Sequence, residues 1–452
     1  MKLKLKLFFT VVIALLFSSC SKQWLDEKQN IKLIVPTTLN DMDLLLNTDL
    51  LRLDGRGACE TACDDYEFTS SQFSSFFYDY SRNLITWKSI ELPKFGSTEA
   101  DEWDLAYAEI QISNIVLERL QKIERIGNNR EQFDRIKGTA LYHRAKENLN
   151  LAMTFCKYYD KNTAANDQGI PLKLTSDISE KIVRASLEDT YTSIISDLKT
   201  AAALLPERQI NQTYIAKGGA FGLLARTYLF MDNYVDALKS SDSSFKYHSF
   251  LENYNNVNGS PARPFLNVST KEMHVIGIMR QQSDNFRIGR VSSDLFELYD
   301  SNDLRKNLFF KINTDDGKPT FRGSYQGGQL FTATATDEVL LIKAECSARL
   351  NKLTEAKTAL NLLLQNRFKT GTYVIISTND NNELLDIIIK ERRKELLARG
   401  LRWQDLKRLN REAKFMKTLV RKIGDDVFTL PPNDPKYIFA IPQYIKSFTG
   451  IE

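Results

Sequence analysis

Three histidines and five cysteines in 452 residues leave little material for metal or thiol chemistry. His143, His248 and His274 show no ligand spacing, and a zinc site needs a clustered set of nitrogen or sulfur ligands. There is no G-x-S-x-G elbow, no glycine-rich phosphate loop, no H-E-x-x-H pair and no Cys/His nucleophile arrangement. Carboxylate pairs such as Glu391/Glu395 and Asp425/Asp426 stand at spacings that serve helix pairing or capping. The residue pattern therefore points away from an enzyme and implies no cofactor and no metal. Past residue 20 no apolar run is long enough to span a bilayer. Charge of one sign is also lacking: 61 basic residues face 57 acidic ones. A nucleic-acid binder held by phosphates needs a basic surplus, so that class is excluded.

What is present begins at the N-terminus. Lys2, Lys4 and Lys6 precede an apolar run from Phe8 to Phe17, followed by Ser18, Ser19 and Cys20. A basic head, a short greasy stretch and two small residues before Cys predict a bacterial lipoprotein signal, with Phe17 where Leu is usual. Residues 1–19 are then removed, Cys20 carries the lipid, 20–36 form a tether, and 37–452 form one domain. Loss of Lys2, Lys4 and Lys6 leaves 58 basic against 57 acidic residues, a nearly neutral body. A hydrophobic share of 42% with 26% charged residues reads as globular. Cys156 and Cys346 sit in apolar helical patterns and read as small buried hydrophobes. Cys59 and Cys63 leave a bridge and two free thiols both open, although one helical turn between them gives poor disulfide geometry.

Apolar periodicity predicts a mainly α protein. Residues 37–53 read as a helix behind Thr37 and Thr38, and 131–160 as a long one, with Ala140, Leu141, Ala145, Leu149, Ala152 and Phe155 recurring at helical spacing. Ser186 followed by Asp189 is a variant of the capping box. Two segments, 224–237 and 344–360, carry small and aromatic residues in the pattern of tetratricopeptide-like hairpins, the second with Asn351 at its turn. Two stretches lose periodicity. Residues 57–98 are rich in Ser, Asp and aromatics; residues 250–335 mix Gly, Asn, Ser and Pro with short alternating apolar runs that predict loops and small strands. So much aromatic content in the first stretch argues against disorder.

The most patterned stretch is 386–408. Leu385, Ile388, Ile389, Leu396 and Leu397 form one apolar stripe, and Glu391, Arg392, Arg393, Lys394 and Glu395 occupy the other face. That face is expected to be solvated and ion-paired, and Gly400 to end the helix at positive φ. The stretch resembles the C-terminal signature of the SusD/RagB family of outer-membrane nutrient-binding lipoproteins, E-R-R-x-E-L-x-x-E-G-x-R-x-x-D-L-x-R. Glu391, Arg392, Arg393, Glu395, Leu396, Gly400, Arg402, Asp405, Leu406 and Arg408 match, while Arg399 stands where the family has Glu. Further matches follow the family order: Trp24-Leu-Asp behind the lipid-bearing Cys, Trp103 with Tyr107, Ile110 and Asn114, Gly169-Ile-Pro-Leu172, Tyr191 through Pro206, and the late Ile441-Pro442.

The resemblance implies tetratricopeptide-like hairpins in one large domain, with irregular loops and a few short strands carrying the ligand side. It implies a surface-exposed outer-membrane lipoprotein that captures a nutrient, most often a glycan, and serves a SusC-like TonB-dependent transporter. Sugar faces stack on rings while hydroxyls bond amides, acids and Arg. Tyr78, Tyr80, Arg82, Asn83 and Trp87 supply that mixture within ten residues and are the expected ligand-binding set. A second reading stays open: a periplasm-facing helical scaffold whose hairpin grooves bind proteins.

Overall fold

The computed structural model describes residues 36–92, 102–266, 271–280, 288–325 and 327–451. The expected signal, Cys20 and tether residues 21–35 lie outside them, as do 93–98, 267–270, 281–287 and 326 of the two loop-rich stretches.

The molecule is mostly helical. Helix α1 (Leu39–Leu46) starts in a complete capping box between Thr38 and Asp41 and buries Met42 and Leu46. It stops earlier than its apolar pattern predicts, passing into a 3-10 turn at Asp49–Arg52. The first loop-rich stretch is less irregular than its sequence. Just before it lies β1 (Leu53–Asp54), and it holds α2 (Gly57–Ala62), β2 (Tyr66–Glu67), α3 (Ser70–Ser74) and α4 (Asp79–Thr86). Helices α5 (Glu102–Leu120) and α6 (Arg130–Phe155) follow. After them β3 (Gln168–Pro171) and β4 (Arg184–Ser186) pair antiparallel. Ser186 then caps α7 (Leu187–Leu204), its Oγ accepting from the Asp189 amide at 2.9 Å. Helices α8 (Lys217–Leu229) and α9 (Tyr234–Tyr247) make the first hairpin, with Asp232 in the left-handed region at φ +56.

The second loop-rich stretch holds β5 (Ile278–Met279), β6 (Arg290–Val291), α10 (Ser293–Phe296), α11 (Leu304–Leu308), β7 (Phe310–Ile312) and β8 (Pro319–Phe321). It is stitched to the first, where β2 pairs antiparallel with β6, and to the strand just ahead of it, where β1 pairs parallel with β5. Each stretch satisfies part of its backbone on the other, which is why neither shows a period of its own. The second hairpin is α12 (Thr336–Arg349) and α13 (Leu353–Gln365), turning at Asn351 with φ +59. Then come α14 (Asn381–Glu395), α15 (Arg402–Leu409), the hairpin β9 (Leu419–Ile423) and β10 (Asp426–Leu430), and finally α16 (Gln443–Thr449).

The charged face of α14 corrects the expectation of a solvated surface. Glu391, Arg392, Lys394 and Glu395 are all buried. Their partners come from distant sequence, so a single-helix reading could not see them. Arg305, fully enclosed, donates to Asp303 at 2.7 Å, Glu391 at 2.6 Å and Glu395 at 2.7 Å. Arg367 bridges Glu395 and Glu272, while Arg392 reaches Asp405. Arg399, the departure from the family pattern, is a staple: it donates to Asp337 and to the Ala333 carbonyl, tying the signature to the start of α12. Gly400 adopts positive φ, +66, but α14 has already ended at Glu395, so the glycine turns the link into α15 instead of ending the helix; a Cβ there would lie 2.8 Å from Arg56 Cβ. Its amide donates to buried Glu60. All four cysteines from Cys59 onward are free and buried, so no 59–63 bridge forms. Burial pushes the Cys59 thiol up to about 12 and the Cys156 thiol to about 11, leaving both unreactive.

Candidate functional site

Aromatic residues of the first loop-rich stretch divide into two layers. The inner layer is a clamp. Phe68 and Phe76 pack edge to face with centroids 5.5 Å apart. Trp87, 1% exposed, donates its indole N–H to the Ala62 carbonyl at 2.9 Å. The Arg421 guanidinium, from β9, lies 4.9 Å from the Trp87 ring and 5.6 Å from Phe68, and donates to the carbonyls of Ile85 and Cys63. Burial lowers that Arg to about 10. Trp87 ends α4 at φ +55, turning its ring inward from the helix.

The outer layer faces solvent. Phe77 is 87% and Tyr78 42% exposed, packed edge to face at 4.8 Å, and the Tyr78 ring lies 5.5 Å from Tyr80. Arg82 is occupied, donating to the Phe76 carbonyl and pairing with Asp79. Beside this ledge opens a crevice of about 310 Å³ lined by Tyr80, Asn83, Ser89, Glu91, Leu92, Gln443 and Tyr444. Two phenol rings, two primary amides, a hydroxyl and a carboxylate converge on it. Such a set can stack on a flat polar ligand and exchange hydrogen bonds around its rim.

Of the expected ligand set, Tyr80 and Asn83 line the crevice, and Tyr78 and Arg82 stand beside it. Trp87 does not line it; as the ring of the inner clamp it is closed to solvent. Gln443 and Tyr444 were not anticipated from sequence. One signal was legible: Tyr444 and Phe448 stand four apart in α16, a spacing that sets two rings on one helix face, and Phe448 is 93% exposed.

Other candidates carry less. A wider cleft of about 640 Å³ lies between the start of α6 and the end of α7, but none of its lining residues is aromatic. Two of its acids and bases are already paired, Asp134 with Arg125 and Arg135 with Asp43. Glu272, Asp337 and Glu395 bring one oxygen each within 4.8 Å of one another, a spacing a metal ion would accept. Guanidiniums already occupy the cationic positions around them, Arg367 on Glu272 and Glu395, and Arg399 on Asp337. Burial raises Glu272 to about 7, whereas at Glu395 the flanking Arg367 and Arg305 outweigh burial and hold the carboxyl below its usual range.

Comparison with known proteins settles the family. Residues 23–229 match a SusD-like family profile described as starch-binding associating with outer membrane, and 308–440 match the SusD family profile. Together they span three quarters of the chain. The chain belongs to the SusD family. Its fold is similar to that of a SusD-like carbohydrate binding protein from Bacteroides vulgatus ATCC 8482, with a TM-score of 0.70, 22% identity, and coverage of 92% of this chain and 97% of that one. A SusD superfamily protein from Bacteroides fragilis gives a TM-score of 0.70 at 19% identity, covering 91% and 98%. The SusD-like protein P38 of Formosa agariphila is 40% identical over 84 residues, an alignment spanning 18% of this chain and 17% of that protein.

Proposed function

We propose that this SusD-family protein is a surface-exposed outer-membrane lipoprotein. It captures a glycan in the crevice between α4 and α16 and delivers it to a SusC-like TonB-dependent transporter. Residues 1–19 are removed, acyl chains on Cys20 hold the protein in the membrane, 20–36 form the tether, and 37–452 act as one body. Among the described residues no helix is long and apolar enough to cross a membrane, and each buried acyl CH₂ contributes about 0.8 kcal/mol to anchoring. The role is capture without catalysis.

The observation that carries this reading is the crevice itself. Tyr444 and the edge of largely buried Tyr80 line it with aromatic carbon, while Asn83, Gln443, Ser89 and Glu91 offer donors and acceptors for hydroxyls. The resemblance to glycan-capturing relatives supports the same ligand class. The test is a glycan array followed by calorimetry on residues 21–452. Asn83→Ala and Tyr444→Ala should each weaken binding about tenfold, on the scale of a stacked ring or a hydrogen-bonded amide, without moving the melting temperature by more than about 1 °C. An array that retains no glycan refutes the reading. Protease shaving of intact cells tests orientation: removal is expected, and a protein that the protease spares would be the periplasm-facing scaffold instead.

A further inference from the structure

The crevice has a neighbour that shares its walls. A cleft of about 490 Å³ opens on the other side of the strap formed by residues 89–91 and the start of α16. Ser89 and Glu91 line the crevice while Ile90 lines the cleft; Gln443 and Tyr444 line the crevice while Lys446 lines the cleft. The strap is fixed. The Ala440 amide donates to the Ile90 carbonyl at 3.4 Å, and the Phe439 amide donates to the Thr154 carbonyl of α6 at 3.0 Å. A ligand longer than one sugar, seated between Tyr80 and Tyr444, has this cleft as its next enclosed surface.

The two openings differ in charge. Glu91 is the sole charged group lining the crevice. The cleft is lined by Lys157, Arg184 and Lys446 against a single carboxylate, Asp167. That carboxylate is already taken: Lys157 donates to it at 2.6 Å and Thr163 at 2.5 Å, and these bonds hold it below its usual range. Arg184 is held in place by the carbonyls of Gly169 and Gln168. Lys446 is half-exposed and, among the described residues, has no ion-pair partner. Asn166 and Gln168 add amides to the same wall. We infer that the cleft is a second ligand subsite and that it takes an acid-bearing sugar, a uronate or a sulfate ester, of a glycan whose neutral part occupies the crevice. Lys446 is its specificity-determining residue. The acid group lies against Lys446 and the outer face of Arg184, the amides meet its hydroxyls, and buried Phe439 and Ile441 form the floor beneath it. This inference rests on the glycan reading of the crevice and narrows the ligand class within it.

The test uses residues 21–452 on an array carrying neutral oligosaccharides, oligogalacturonates and sulfated oligosaccharides, with calorimetry on the tightest binder at low and high salt. The retained glycans should be acid-bearing, and the uronate and sulfate arms show which acid is preferred. Affinity should fall several-fold between 50 and 500 mM NaCl, as expected when a partly exposed charge pair contributes. Lys446→Gln should lower affinity about fivefold and Lys446→Glu more, both with an unchanged melting temperature and a weaker salt dependence. Asn83→Ala should lower affinity while leaving the salt dependence intact. Exclusive retention of neutral glycans overturns the acid subsite, as does a Lys446→Glu variant that binds within twofold of wild type. If binding then still falls in Asn83→Ala, the crevice reading survives alone. An array that retains nothing overturns both.

Discussion

Trp87→Ala separates packing from ligand contact in the aromatic stretch. Taken by sequence alone, Trp87 is an attractive stacking ring, and its loss should weaken glycan binding while barely touching stability. The structure reverses that. The ring is 1% exposed, its N–H is bonded to the Ala62 carbonyl, and the Arg421 guanidinium lies over it. Truncating a buried Trp to Ala costs about 3–5 kcal/mol through lost transfer energy and the cavity left behind. The orphaned Ala62 carbonyl adds about 1 kcal/mol. No compensation comes from the backbone, because Ala tolerates the left-handed φ of +55 no better than Trp does. At about 2.1 cal/mol/K per residue, a chain of 452 residues loses about 1 °C of melting temperature per kcal/mol. A drop of about 4–6 °C is therefore expected in calorimetric melts of the unliganded protein. Trp87→Phe, which keeps most of the ring and loses the N–H, should fall by about half as much. Calorimetry on the tightest array glycan should show at most a twofold change for Trp87→Phe, against about tenfold for Asn83→Ala. A Trp87→Ala protein that melts within about 1 °C of wild type but binds tenfold more weakly would refute the clamp and return the ring to the ligand site.

Arg305→Met should cost about 3 kcal/mol, since Asp303, Glu391 and Glu395 lose their shared cation and keep only Lys394 and Arg367 to balance them; a urea midpoint equal to wild type would show the network to be dispensable. Stability against pH has two opposed limbs. His143 and His274 are depressed by burial, so their contribution is present above about 6.5 and is lost as pH falls toward their folded values. Glu60 and Glu272 are raised by burial to about 7, so theirs is present below about 4.5 and is lost as pH rises to about 7. Glu272→Gln removes its share of the second limb, leaving that of Glu60, and should make urea stability fall more steeply than wild type between pH 6.5 and 5; equal slopes would count against it. Cys20→Ala should leave the folded body intact but absent from the outer-membrane fraction, and wild-type fractionation of that variant would dispose of the lipid anchor.

Local order made much of the fold legible. Helical hairpins announce themselves through small and aromatic residues at helical spacing, because each repeat buries its stripe against the adjacent helix of the same hairpin. Ser186 could be read alone, since a cap needs only the next three residues, and so could the positive φ of Gly400, but not that α14 stops five residues before it. The family signature was equally local. What the sequence concealed was every feature whose partner lies far along the chain. The charges of α14 look like a wet face because nothing near them in sequence would bury them, yet Arg305 stands 86 residues from Glu391, and Glu60 stands 340 residues from Gly400. A buried ion is tolerable only with its counter-ion in place, and only the tertiary structure supplies that partner. The same holds for the site. Tyr80 and Asn83 were legible as ligand-type residues, but their neighbour Trp87 was indistinguishable from them until Arg421 and the Ala62 carbonyl closed over it. Gln443, Tyr444 and Lys446 lie more than 350 residues beyond, and only the docking of α16 beside residues 89–92 brings the two ends of the chain to the same crevice and cleft.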